Sequence, residues 1–134
     1  MASTFRLELV TPERLLASGD VQEVVAPGFE GEFGVLPEHT HYLVVLEIGV
    51  MRIRKDDGQV VKVAIGGGFA EVTPGRMVVM ADTAERADEI DVERARQAKE
   101  RAEERLKAVS LDDETYLKSY ASLQRALARL SASG

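Results

Sequence analysis

Four arginines and an aspartate carry whatever chemistry this chain can do: Asp91, Arg94, Arg101, Arg125 and Arg129. A guanidinium presents a planar fork of N–H donors that matches a carboxylate or a phosphate, so convergent arginines make an anion site. Arg125 and Arg129 are four apart and leave one face of a helix. With Arg94 brought beside them they can surround an anion. The ordinary alternative is that helical arginines among glutamates form solvated i,i+4 pairs, each contributing roughly 0.3–0.5 kcal/mol. Spacing by itself prefers that alternative.

Other chemistries have less to stand on. There is no Cys, which excludes a disulfide framework, a thiolate metal site and a Cys nucleophile. The two histidines, His39 and His41, lie in one loop; a metal there would need carboxylates from elsewhere, and they read as surface or interface residues. No Ser stands in a nucleophile-elbow context, and a Ser-His-Asp set finds no support. Gly66-Gly67-Gly68 resembles a phosphate loop only in its glycines, because no Gly-Lys-Ser/Thr follows. A bulge or tight corner is the preferred reading. The carboxylates are scattered as on a solvated face. The expectation is therefore no catalytic residue, no metal site and no required cofactor.

The elements that must position the arginines fall into two textures. Phe5-Arg6-Leu7-Glu8-Leu9 alternates apolar and polar, the period of a half-buried strand. Further short strands are expected over 15–20, 21–25, 43–46, 49–54, 60–65, 69–72 and 77–81. The 29–37 stretch is glycine-punctuated and curved, and turns are expected at Ala26-Pro27-Gly28, Asp56-Asp57-Gly58 and Thr73-Pro74-Gly75-Arg76. Some eight to ten such strands imply an antiparallel sandwich or flattened barrel.

From Asp82 the period changes. Asp91 is a good helix N-cap, with Glu93 in the first turn. Val92, Ala95, Ala98 or Lys99, Ala102, Leu106 and Val109 recur on one helical face, which is mostly alanine and so packs closely but holds weakly. Ser110 and Asp113 form a capping-box variant opening a second helix, whose inner face is expected to be Tyr116, Tyr120, Leu123, Leu127 and Leu130. The short connection implies an antiparallel hairpin of helices of roughly 19 residues each, about 28 Å long. The class is α+β, with a sandwich over 1–86 and a helical hairpin over 87–134.

Charge divides along the same line. Residues 1–90 carry 8 Lys/Arg and 15 Asp/Glu, a net of −7, whereas residues 91–134 carry 9 and 8, a net of +1. The net charge of −6 argues against nucleic acid as a partner and leaves the C-terminal half as the surface for an acidic one. The N-terminus lacks a basic flank and apolar run, and no apolar stretch approaches the ~20 residues of a membrane span. Membrane contact is thus expected only through a partner.

Three stretches carry a resemblance covering nearly the whole chain: Gly31-Glu32-Phe33-Gly34-Val35-Leu36-Pro37-Glu38-His39, Gly67-Gly68-Phe69-Ala70-Glu71-Val72, and Ala81 through Asp91. In this order and spacing they resemble the epsilon subunit of the bacterial F-type ATP synthase. The family usually has Gly where Glu38 stands and often Pro where His41 stands.

The resemblance implies an N-terminal ten-stranded β-sandwich and a C-terminal helical hairpin. It implies a non-catalytic subunit of the central stalk, bound through the β domain to the gamma subunit and the c-ring, on the cytoplasmic face of the cell inner membrane. It also implies helices that extend toward the alpha and beta catalytic subunits and block ATP hydrolysis. The family's ATP motif, Ile/Leu-Asp-x-x-Arg-Ala, is matched by Ile90-Asp91-Val92-Glu93-Arg94-Ala95. Arg125 and Arg129 resemble second-helix arginines of members that bind ATP, and Arg101 resembles a further basic position. Regulatory ATP is thus the one small-molecule ligand implied. A standalone ligand-sensing β-sandwich with a helical effector is the alternative from another class.

Overall fold

Alternation along the first strand turns Phe5, Leu7 and Leu9 inward, where all three are buried. The computed structural model describes residues 3–110 and 114–134. Its elements in order are β1 (Phe5–Val10), β2 (Leu15–Gly28), β3 (Gly31–Val35), β4 (Tyr42–Lys55), β5 (Val60–Thr73), β6 (Arg76–Ala81) and β7 (Ala84–Arg86), then a 3-10 turn (Ala87–Glu89), α1 (Val92–Ala108) and α2 (Glu114–Ser133). The strands pair in the order β1-β6-β5-β4-β2, and a β1–β2 pairing closes the ring. β3 adds to β2 and β7 adds to β5. Leu7, Leu9, Met51, Ile65 and Met77 are among the largest side chains sealed inside.

Among the described residues the count is seven strands, not ten, and β1 pairs with β6 in parallel, so the sheet is not wholly antiparallel. The reason for the lower number lies in β2, β4 and β5, each 14 residues long. Positions that read as strand ends, around Gly19, Gly49 and Gly66-Gly67-Gly68, lie inside these strands. The β4–β5 pairing keeps one register from Tyr42↔Val72 to Arg54↔Val60, skipping only the Glu47–Gly67 position. Glycine lets a strand bend without ending it.

The glycine triplet is a corner of a particular kind. β6 and β7 share one register along β5, Gly68↔Ala81 and Val63↔Arg86, and are interrupted opposite the triplet. There the Gly66 N–H donates to the Thr83 carbonyl at 2.8 Å and the Asp82 N–H to the Gly67 carbonyl at 3.0 Å. A Cβ on Gly66 would strike the Thr83 hydroxyl, and one on Gly68 the Met80 carbonyl. Close backbone approach, not phosphate binding, explains these glycines. The short strand β7 has no counterpart in the sequence reading, because three residues show no periodicity.

α1 begins as its chemistry dictates: Asp91 Oδ1 accepts from the Arg94 N–H at 3.1 Å. Asp113 of the expected capping pair, with the connection at 111–113, lies outside the described residues. α1 packs along α2, and α2 lies on β4 and β5. The buried face of α1 keeps two of the expected positions, whereas that of α2 differs from the expectation. On α1 the buried residues are Ala95 and Ala102, while Val92 is exposed; on α2 they are Ser119, Ala126, Ala128 and Ala132, while Tyr120 and Leu127 face outward. α2 has two neighbours at once, a helix and a sheet, and small residues allow close approach to both. Ala128 and Ala132 meet Ala64, flanked by Ile48, Val50 and Ile90.

Candidate functional site

Where β7, the 3-10 turn and both helices meet, a cavity of about 390 Å³ opens. It is lined by Glu85, Glu89, Asp91, Arg94, Ala95, Ala98, Arg101 and Arg129. That volume lies in the ~300–1,000 Å³ range of small-molecule sites. Arg94 and Arg101 arrive seven residues apart, two turns along one face of α1. Arg129 arrives from the C-terminal half of α2. Ala95 and Ala98 add only methyl groups to the lining.

Of the nominated residues, the fold brings together Asp91, Arg94, Ala95, Arg101 and Arg129. Ile90 instead packs on the Ala64–Ala128–Ala132 patch. Arg125 lies outside this cavity, where its Nη2 donates to Ser122 Oγ at 3.1 Å, and it borders a neighbouring cleft beside Ala64 and Gly66. Glu85, Glu89 and Ala98 line the cavity although spacing alone did not single them out. Glu85 and Glu89 lie in the Ala81–Asp91 stretch that carries the resemblance, and Ala98 falls on the expected α1 inner face, but nothing in the sequence marks the three as site residues.

The charges are already partly committed. Arg129 Nε bonds Glu85 Oε1 at 2.6 Å, joining α2 to β7. Glu89 is gripped by the Arg14 fork at 2.8 and 3.0 Å and accepts from the Arg86 N–H at 3.1 Å. Those bonds hold the Glu89 carboxyl below the usual glutamate range, the Arg14 hydrogen bond most of all. Asp91 caps α1. Among the described residues, neither Arg94 nor Arg101 has an ion pair or a side-chain hydrogen bond. Two guanidiniums facing an open cavity without anionic partners are equipped to take one.

The histidines stand elsewhere. Both ring nitrogens of His39 face backbone carbonyls, Leu36 O and Thr73 O, and the ring stands edge-on to Phe5 with centroids 5.2 Å apart. His39 therefore ties its loop to the end of β5. Among the described residues no three His, Asp or Glu side chains gather in a metal-binding group. No described helix is long and apolar enough to cross a membrane.

Comparison with known proteins accounts for both halves. Residues 4–87 match the beta-sandwich domain of the ATP synthase delta/epsilon chain, and residues 88–134 match its long alpha-helix domain. The ATP synthase epsilon chain of Desulforamulus reducens is 48% identical over 132 residues, covering 98% of each chain. That of Syntrophobacter fumaroxidans is 51% identical over 131 residues, covering 97% of this chain and 96% of the other. In a cryo-EM structure of the Euglena gracilis mitochondrial ATP synthase, described as OSCP/F1/c-ring, one chain superimposes with a TM-score of 0.84 at 25% identity, covering 98% of this chain and 82% of that one. Full-length matches of this kind set aside the standalone ligand sensor. The chain belongs to the ATP synthase delta/epsilon family, as an epsilon subunit: a non-catalytic part of the central stalk of the F-type ATP synthase.

Proposed function

We propose that the cavity between the 3-10 turn, α1 and α2 is a regulatory ATP site, and that the hairpin it closes is the element restraining ATP hydrolysis. The observation carrying this reading is the pair Arg94 and Arg101, without a charged partner among the described residues, with Arg129 lining the same cavity. A phosphate chain reaching all three touches both helices. Opening the hairpin separates those contacts, so the ligand binds the closed form better. Only such differential affinity can shift a conformational equilibrium. The alanine seam adds little closure of its own, since a buried methyl contributes about 0.8 kcal/mol.

Residues 1–86 act as the docking body and 87–134 as the regulatory hairpin. An apolar row supports a docking surface on the body: Val45, Phe69 and Met80 lie in register across β4, β5 and β6 and point outward, with Leu43 and Phe29 exposed nearby. Exposed apolar rows mark partner surfaces. The gamma subunit and the c-ring are the partners that fit a central-stalk role, with the alpha and beta subunits as targets of the extended helices. In that setting the subunit couples ion flow to ATP synthesis from the cytoplasmic face of the inner membrane, peripherally, and it requires no cofactor.

Two measurements test the reading. ATP titrated into the isolated protein should bind saturably, and Arg94→Ala should weaken it; absence of saturable binding at millimolar ATP sinks the nucleotide role. ATP hydrolysis by the assembled complex should rise when residues 91–134 are removed, and unchanged activity overturns inhibition.

A further inference from the structure

The Arg14–Glu89 contact joins parts of the chain 75 residues apart and lies at the cavity wall, yet Arg14 itself does not line the cavity. Arg14 sits between β1 and β2, on a turn closed by Thr11 N–H to Arg14 O at 2.9 Å. Its fork takes both Glu89 oxygens. The same Glu89 accepts the Arg86 N–H, and Arg86 Nη1 reaches back to the Leu16 carbonyl at 3.4 Å. The segment 86–89 is thus tied to the start of β2. Beyond it, Ile90 and Asp91 are extended, and α1 then leaves to pack on α2.

The local charge makes this tie consequential. The cavity lining holds three carboxylates, Glu85, Glu89 and Asp91, against three guanidiniums, Arg94, Arg101 and Arg129, so it is formally neutral. Arg86 lies against Asp88 as well as Glu89 and offsets it. Glu13 balances Arg14 formally, but it is Arg14 that pairs with Glu89 directly, from outside the cavity.

We infer that Arg14 is a positioning residue for the cavity: it neutralises and fixes Glu89, so that the site favours an anion and the Ile90–Asp91 pivot starts from a rigid base. The anion-binding part rests on the reading of the cavity as a nucleotide site; the anchoring part does not. The Arg14 charge is itself held by Glu89 first, with Glu85 and Glu13 adding to it. Because Arg14 is solvent-facing, its substitution leaves the core untouched.

The test uses the full-length chain carrying Arg14→Gln, Arg14→Lys or the pair Arg14→Gln/Glu89→Gln. Without ligand, carbon NMR of the Glu89 carboxyl in Arg14→Gln should titrate closer to the ordinary glutamate value, and amide exchange over 86–91 should quicken. With ATP as probe, Arg14→Gln should weaken binding roughly 3–5-fold, the effect of a surface charge contact. Arg14→Lys should keep most of the affinity, since it keeps the charge, and the double variant should recover what the single one loses. Unchanged titration and exchange in Arg14→Gln overturn the inference even where ATP binds. Equal weakening in the single and double variants also overturns it, since charge would then not be the cause. If the native protein binds no ATP while the ligand-free changes appear, the nucleotide reading fails and the anchoring stands.

Discussion

Arg94 and Arg125 share a side chain and a helix context, but the first faces the cavity unpartnered and the second bonds Ser122 outside it. Their substitutions should therefore diverge. Arg94→Ala removes a charge-assisted contact with phosphate, worth about 1.5 kcal/mol or more, and should weaken ATP binding about tenfold; Arg125→Ala should change it less than twofold. Calorimetry on the isolated protein separates the two. Glu89 makes a second residue-scale case, with a folded-state pKa held down chiefly by Arg14. A depressed carboxyl pKa contributes stability that is fully present above the unfolded value, about 4.3, and is lost as pH falls through the folded value. Acid unfolding of the native protein should thus show a component that Glu89→Gln lacks, and identical acid midpoints would remove the clasp from the account. Neither fate was legible in spacing, because one turn of helix decides whether an arginine meets a cavity or a serine.

At the scale of elements, the glycine corner and the alanine seam each depend on what is missing. Gly68 has a φ of 125°, and a Cβ there would meet the Met80 carbonyl. Gly68→Ala should cost on the order of 1–3 kcal/mol, read as a lower urea midpoint with unchanged slope. Ala102 and Ala126 are wholly buried on the two helices. Leucine at either position overpacks a seam built for close approach and should cost about 1–3 kcal/mol of closure. A distance label between α1 and α2 would report it as a larger open fraction, while the barrel's own unfolding stays put. Periodicity did reveal α1, α2, the Asp91 cap and most strand segments. It could not tell that α2 hides Ala126 and Ala128 rather than Tyr120 and Leu127, because Ala126 and Ala128 are two apart and share no single helical face, and only contact with two neighbours buries both.

For the whole molecule, the row Val45–Phe69–Met80 points outward, and the proposed function assigns it to assembly rather than to folding. Val45→Asp should leave the melting of the isolated subunit within about 0.5 kcal/mol of native. It should nevertheless deplete the subunit from purified synthase, as quantified by gel densitometry. Normal incorporation would show that this row is not the docking surface. In the proposed function the body and hairpin would play separate parts, one holding the stalk and the other setting whether hydrolysis is restrained.

By itself the sequence determined the α+β division, the N-cap at Asp91, the turns at Asp56–Gly58 and Thr73–Arg76, the absence of cysteine chemistry and the family. These follow from local propensity, periodicity and motif order, which need no knowledge of distant neighbours. Only the tertiary structure decided that three glycine-broken segments are continuous strands, that β1 and β6 run parallel, and that Arg94, Arg101 and Arg129 share a cavity while Arg125 does not. It alone brought Arg14 onto Glu89 across 75 residues of chain. Bends, pairings and ion pairs of that kind depend on where separate segments come to rest against one another, and no local pattern encodes it.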